Sequence, residues 1–449
     1  MAFTATQRLW LQHSPTSREW LRLYRRTHRP AESRRRPALG VVLASLCLTE
    51  IVSWGLLYYT FPVVAPHISS GTGWSPTVVT AAFSLALVVS AFLGVPVGRL
   101  IDRHGPRWVM TTGSVLATLA LGVVASAQTL SIFYIGWVMA GAAMAGVLYP
   151  PAFAAITGWF STRGLNALTT LTLVAGLAST VFAPLAATMS TSLGWRATYL
   201  WAAVILAAFT IPLHGVLLRR PWPVQEHARS KDHGAERAYT STVIKTRRFW
   251  LLSAGMTLAS ITMYATLLAT VPLMLERGLT SQTAAWILGL GGVGQVAGRL
   301  FYAVFARWAS LAVRTALVFG IVTISTAALA FVPGPTPYLI AMSMMAGIGR
   351  GIATLLQATA VTERWGHRAY GHLSAAFSLP VLLAAAIAPW GGSILALVTG
   401  SYAMGFGVLS AVAAIGTVLV VVSAREPRSK CAQGVSSTES KENRFRRPG

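Results

Sequence analysis

The chain has 449 residues, 54% of them hydrophobic and 11% charged, with a formal net charge of +24. A soluble domain carries about a quarter charged residues, so too few polar groups remain to cover a water-facing surface. The positive charge is divided among many short segments and forms no single patch, which excludes a nucleic-acid interface, and two cysteines, Cys47 and Cys431, make neither a disulfide framework nor a zinc site.

Residues 1–37 are Arg-rich and contain no apolar core before Ala38, so they read as a disordered basic cytoplasmic tail and not as a signal peptide. Six apolar spans follow: Leu39–Pro62, Pro76–Val97, Trp108–Ala127, Ser131–Ile156, Leu165–Ser190 and Ala197–Leu218. They form an N-terminal six-helix bundle over 38–218. Residues 219–248 are polar, carry Pro221, Pro223 and Gly234, and read as a cytoplasmic linker. Six further spans are Phe249–Leu275, Thr283–Phe305, Val313–Val332, Pro337–Val361, Gly371–Leu397 and Tyr402–Ala424, a C-terminal bundle over 249–424. Residues 425–449, rich in Ser, Lys, Arg and Glu, read as a second disordered cytoplasmic tail.

Each span is long enough to cross about 30 Å of hydrocarbon as a helix. Of the 36 Lys and Arg, all but Arg196, Arg277 and Arg350 fall in the two tails, in the gap after every second span or, as Arg299 and Arg314, in the span ends that flank such a gap. Basic loops stay on the cytoplasmic side, and an odd number of spans would break the alternation. The expected fold is therefore an all-α membrane protein of twelve transmembrane helices, with both termini cytoplasmic. Absence of a sorting signal and the many arginines suggest a bacterial inner membrane.

The two halves match each other. Gly98-Arg99-Leu100 ends the second helix and Gly298-Arg299-Leu300 lies in the eighth, where the second half should repeat it. The segment from Phe160 to Leu168 aligns with Trp365 to Leu373, and at the same offset Ala183-Pro184 meets Ala388-Pro389 and Gly146 meets Gly351. Pseudo-symmetric bundles around a midplane site are a transporter architecture. No Gly-x-x-x-x-Gly-Lys-Ser/Thr loop occurs, so energy must come from a gradient.

Between the second and third spans stands Gly98-Arg-Leu-Ile-Asp102-Arg103-His-Gly105-Pro-Arg107, read as a tight cytoplasmic hairpin in which Gly98 lets helices approach and Gly105 permits reversal. This segment resembles the signature loop of the major facilitator superfamily. The resemblance implies a cytoplasmic latch between the halves, with Gly98, Asp102, Arg103, Gly105 and Arg107 as its residues. Gly73-Trp74-Ser75, Tyr149-Pro150-Pro151, Trp159 to Asn166 and Gly194-Trp195-Arg196 are similar to the monocarboxylate transporter-like and oxalate/formate-type branch. That branch places a key Arg in the eighth helix; here the eighth span holds only Arg299, close to its cytoplasmic end.

Two ionisable groups lie at mid-depth, Glu50 in the first span and Arg350 in the tenth. Such a charge costs roughly 2.5–3.5 kcal/mol or more and faces a partner or a water-filled cavity. In the superfamily the first, fourth, seventh and tenth helices line the central cavity. Arg350 is expected to bind a carboxylate, which its planar fork suits, in space opened by Gly347, Gly349 and Gly351. Glu50 is expected to be the proton-coupling site, with substrate competing for Arg350; the alternative is a structural Glu50–Arg350 ion pair. Tyr58, Tyr59, Tyr149 and Tyr264 are candidate substrate-binding walls, and Pro62 and Pro272 candidate gate hinges.

The expected function is secondary active transport by alternating access: a proton-linked carrier of a small organic anion such as a monocarboxylate, or a proton-coupled exporter of drugs or other toxic compounds. A membrane-embedded enzyme would need clustered acids, a His pair or a nucleophile with its base, and the spans hold one acid. No cofactor or metal is expected. The expected partners are a small-molecule substrate, a proton and the lipid bilayer, with no nucleic acid and with the chain acting as a monomer.

Overall fold

The computed structural model describes residues 38–160, 164–223, 233–366 and 369–425. The expected tails, 1–37 and 426–449, and the aligned Arg163 and Arg368 lie outside them. The described residues contain helices and no strand.

Eleven helical runs are long and apolar enough to cross a membrane. One of them, Gly164–Leu217, has 54 residues and would be about 81 Å long as a single helix, more than twice a hydrocarbon core. It reverses at Gly194, whose φ of 80° and ψ of 163° are not helical. It therefore supplies two crossings, and the twelve expected spans are all present. We label them α1 (Leu39–Thr72), α2 (Pro76–His104), α3 (Pro106–Ser126), α4 (Leu130–Phe160), α5 (164–193), α6 (195–217), α7 (Arg247–Glu276), α8 (Ser281–Trp308), α9 (Leu311–Phe331), α10 (Thr336–Trp365), α11 (Tyr370–Thr399) and α12 (Tyr402–Arg425). Part of the 219–248 linker is helical, His233–Ile244.

The helices run longer than hydropathy alone suggests because their ends are capped by polar groups the apolar window ignores. Ser75 accepts a bond from the Val78 amide at the start of α2, Thr246 from Phe249 at α7 and Ser310 from Val313 at α9. The two arginines outside the basic gaps are also caps. Arg196 donates to the Ala127 carbonyl at the end of α3, 2.9 Å, and Arg277 donates to the Leu329 and Ala330 carbonyls at the end of α9. A cation at a helix C-terminus is favoured by the backbone dipole, so these two serve local structure at pseudo-equivalent ends.

Neighbour relations repeat between the halves. Helix α2 rests on α4, and α3 on α4 and α6; correspondingly α8 rests on α10, and α9 on α10 and α12. Small residues make these contacts possible where apolar surface alone gives no drive to associate. Gly141 of α4 lies against the Ala86 backbone of α2, while Gly294 of α8 lies against Met344 of α10, and Gly347 and Gly351 of α10 against Gly291 and Gln295 of α8. The expectation that Gly347, Gly349 and Gly351 open space for a ligand is therefore wrong. Backbone of α8 fills the space beside Gly347 and Gly351, and Val322 of α9 that beside Gly349.

The halves meet along two seams, α2 with α11 and α5 with α8. Thr180 donates to the Gly289 carbonyl at 2.7 Å, Thr188 to Gln282 Oε1 at 3.1 Å, and the Trp390 amide to Ser84 Oγ at 3.0 Å. His67 Nε2 lies 3.4 Å from Ser281 Oγ. All of these residues lie in the halves of their helices remote from the linker. The molecule is closed on that far side.

Candidate functional site

A cavity of about 270 Å³ lies between the halves. Its walls come from α1 (Trp54, Tyr58, Tyr59), α4 (Tyr149, Phe153), α5 (Thr172, Ala175), α7 (Tyr264, Leu267), α8 (Gln295, Arg299) and α10 (Arg350, Thr354, Leu355, Ala358). From mid-depth these residues continue toward the linker-side ends of α4, α5, α8 and α10, and Ala358 is exposed. With the far side sealed, the cavity faces the linker side.

All five expected substrate-binding residues, Arg350, Tyr58, Tyr59, Tyr149 and Tyr264, line this one cavity. The local fold of α1 explains how two consecutive tyrosines do so. Residues Gly55–Tyr59 form a π-turn. Pro62 lacks the N–H that would bond to the Tyr58 carbonyl, and both the Thr60 amide and Thr60 Oγ1, the latter at 3.0 Å, donate to the Gly55 carbonyl. The wider turn suits a site: it brings Trp54, Tyr58 and Tyr59 to the same cavity. Pro62 itself does not break α1, and Pro272 lies inside an unbroken α7. The gate-hinge expectation is corrected on that point, since the irregularity lies one turn before Pro62.

Arg350 is 7% exposed, and its Nε donates to Gln295 Oε1 at 3.2 Å. Arg299 donates to the Thr172 carbonyl at 2.6 Å, across the α5–α8 seam. Two guanidiniums thus share one cavity, and none of the lining residues is acidic. Arg299 was not among the expected site residues. Its position near the end of the eighth span points away from a midplane site, but a cavity open toward that end reaches it.

Glu50 does not line the cavity. It is fully buried, and neither carboxyl oxygen has a hydrogen-bond partner. The expected alternative of a Glu50–Arg350 ion pair is not formed. Trp54, one turn beyond Glu50 on α1, lines the cavity, and its ring lies 4.9 Å from that of Tyr149.

The signature segment also departs from expectation. Residues Gly98 to His104 belong to the last turns of α2, and the reversal is confined to Gly105, with φ 77°. Gly98 faces open space and brings no helix closer. Arg107 Nε donates to the Gly215 carbonyl at the end of α6, 2.9 Å. Asp102 and Arg103 are exposed, and the Asp102 carboxylate makes no ion pair among the described residues. In the other half Arg314 pairs with Glu363 at 3.4 Å.

Comparison with known proteins adds the following. The sequence profile described as Major Facilitator Superfamily matches residues 46–379. Human monocarboxylate transporter 11 is 27% identical over 390 residues, covering 84% of this chain and 71% of that protein. The oxalate:formate antiporter of Oxalobacter formigenes is 24% identical over 214 residues, 47% of this chain and 49% of that protein. Among solved structures, a bacterial homolog of the human lysosomal transporter Spinster, inward-facing and unoccupied, aligns with TM-score 0.65 at 16% identity, covering 86% of this chain and 96% of that one. The nucleoside transporter NupG aligns with TM-score 0.67 at 10% identity, covering 86% and 100%. At these identities the two structures speak for the fold alone.

Proposed function

The chain belongs to the Major Facilitator Superfamily, a family of transporters and not of enzymes, and we propose that within it this protein is a proton-linked carrier of a small organic anion of the monocarboxylate kind. The observation that carries this reading is the pair of guanidiniums, Arg299 and Arg350, in one cavity without an acidic lining residue. A buried cation without a carboxylate partner is costly inside a membrane. A substrate carboxylate offsets that cost, accepting charge-assisted bonds from one or both forks. Relatives named for monocarboxylates and for oxalate and formate support the same substrate class.

Glu50 is the proposed proton site. Direct competition between substrate and Glu50 for Arg350 is not supported, because the two side chains do not pair. Between Glu50 and the cavity stands Trp54, one turn along α1, whose ring lies 4.9 Å from that of Tyr149. An anion at the arginines changes the electrostatic potential in this low-dielectric interior and so the balance at Glu50 behind that wall.

The linker side is the proposed cytoplasmic side of an inner cell membrane, with both termini there and the monomer as the working unit. The cavity then faces inward, and alternating access requires the α2–α11 and α5–α8 seams to open on the far side. In the outward-facing state the Asp102–Arg103 segment closes the cytoplasmic side as a latch, which fits the exposure of both residues here. The test is uptake of labelled formate, lactate or pyruvate into proteoliposomes under an imposed pH gradient. Accumulation above equilibrium, lost in Arg350→Gln, supports the proposal. Gradient-driven efflux of a cationic dye with no acid uptake overturns it in favour of an exporter.

A further inference from the structure

The cavity is two-faced. Both of its cations come from the C-terminal half, on α8 and α10, whereas the wall from the N-terminal half is aromatic. The rings of that wall touch in series. Trp54 lies 5.3 Å from Tyr58 and 4.9 Å from Tyr149, Tyr58 lies 5.2 Å from Tyr59, and Tyr149 stacks on Phe153 at 5.2 Å and 20°. In contact with one another, these rings still present surface to the cavity.

Two donors in this wall are unspent. Tyr58 is 3% exposed, and its hydroxyl has no hydrogen-bond partner; Trp54 Nε1 has none either. Buried donors are normally paired. Tyr58 and Arg350 line the same cavity, so an anion at that guanidinium has the Tyr58 ring beside it. This places the carboxylate at the Arg350 edge and leaves the remaining volume against Trp54, Tyr149 and Phe153.

We infer that the substrate is a carboxylate bearing a planar aromatic body, seated with its anion at Arg350 and Tyr58 and its ring against the aromatic wall. This deepens the anion-carrier reading above and rests on it. Size argues the same way. A cavity of about 270 Å³ has room for many waters. A two- or three-carbon acid leaves several waters trapped against apolar rings, whereas an arylacetate displaces them. Offset and edge-to-face ring contacts then add to area burial.

The test uses four matched acids on the purified full-length protein in detergent and in proteoliposomes: acetate, lactate, phenylacetate and cyclohexylacetate. Binding is read by competition against labelled phenylacetate and by thermal shift. The expected result is phenylacetate at least about tenfold tighter than acetate, and tighter than cyclohexylacetate, which has the bulk without the flat face. Phe153→Leu should erase most of that preference, while Arg350→Gln should weaken both. If Phe153→Leu fails to fold, the ranking of the four acids on the unaltered protein still decides. Equal affinity for phenylacetate and acetate overturns the aromatic assignment and leaves the anion reading standing, and so does equal affinity for phenylacetate and cyclohexylacetate. Acid binding that is unaffected by Arg350→Gln overturns the anion reading itself.

Discussion

Gly55 is the position at which the site's geometry is most exposed to a single atom. It opens the π-turn that presents Trp54, Tyr58 and Tyr59 together, and a methyl group built on it falls within the ring of Phe182 on α5. The atoms met are the inner ring carbons of Phe182, not a mobile tip, and that ring is 7% exposed. Gly55→Ala therefore forces either Phe182 from its rotamer or α1 away from α5. Overpacking of this kind costs about 1–3 kcal/mol, a fall of a few degrees in melting temperature. Any displacement of α1 also turns Tyr58 and Tyr59 relative to Arg350, so uptake should fall by about tenfold. Phe182→Leu shortens the obstructing ring. The double variant Gly55→Ala/Phe182→Leu should recover stability relative to the sum of the singles, with a coupling of about 1–2 kcal/mol. Melting curves and proteoliposome uptake read both effects. Gly55→Ala with unchanged melting and unchanged uptake would refute the reasoning.

Three further outcomes follow from the same geometry. Glu50→Gln should retain exchange of substrate between two sides at equal pH and lose accumulation driven by a pH gradient; accumulation that survives would remove Glu50 from the coupling. Cysteines at Thr188 and Gln282, whose side chains meet at 3.1 Å on the far side, should be joined by a short bis-methanethiosulfonate cross-linker that stops transport until a reductant is added. Transport by the cross-linked protein would mean that this seam does not open. The Trp222 indole donates to the Asp102 carbonyl at 3.1 Å and covers Gly105 and Gly158, tying the linker to the α2–α3 turn. Trp222→Ala should increase protease cutting of the linker without changing substrate affinity; an altered affinity would place Trp222 in the gating path instead.

The crossings were legible because hydrocarbon demands long uncharged runs and because basic residues mark alternate gaps. Length and charge say little of where a helix bends. Hence α2 runs through Asp102 and Arg103 to Gly105, and the break in α1 falls at Gly55 and not at Pro62. The cavity residues divide in the same way. Arg350 and the four tyrosines are visible as polar groups on apolar helices, and they converge. Glu50 is at the expected depth but lies outside the cavity, because sequence fixes how far along a helix a residue sits more firmly than which neighbour it faces. Arg299 was passed over for the opposite reason: its depth looked wrong, yet the cavity extends toward its end of α8. The glycines beside Arg350 read as open space until α8 is seen lying against them. Gln295, the partner of Arg350, carries one available signal, a lone amide one turn before Arg299 on an apolar helix.

The central claim is that the cavity's guanidiniums, Arg350 foremost, hold the substrate carboxylate. Affinity for a labelled carboxylate, measured on the unaltered protein, on Arg299→Gln, on Arg350→Gln and on the double variant, tests it most directly. Charge-assisted bonds contribute about 1.5–3 kcal/mol each, so each single change should weaken binding by about 10- to 100-fold, with the double variant departing from additivity. Arg350→Gln binding as tightly as the unaltered protein would contradict the account.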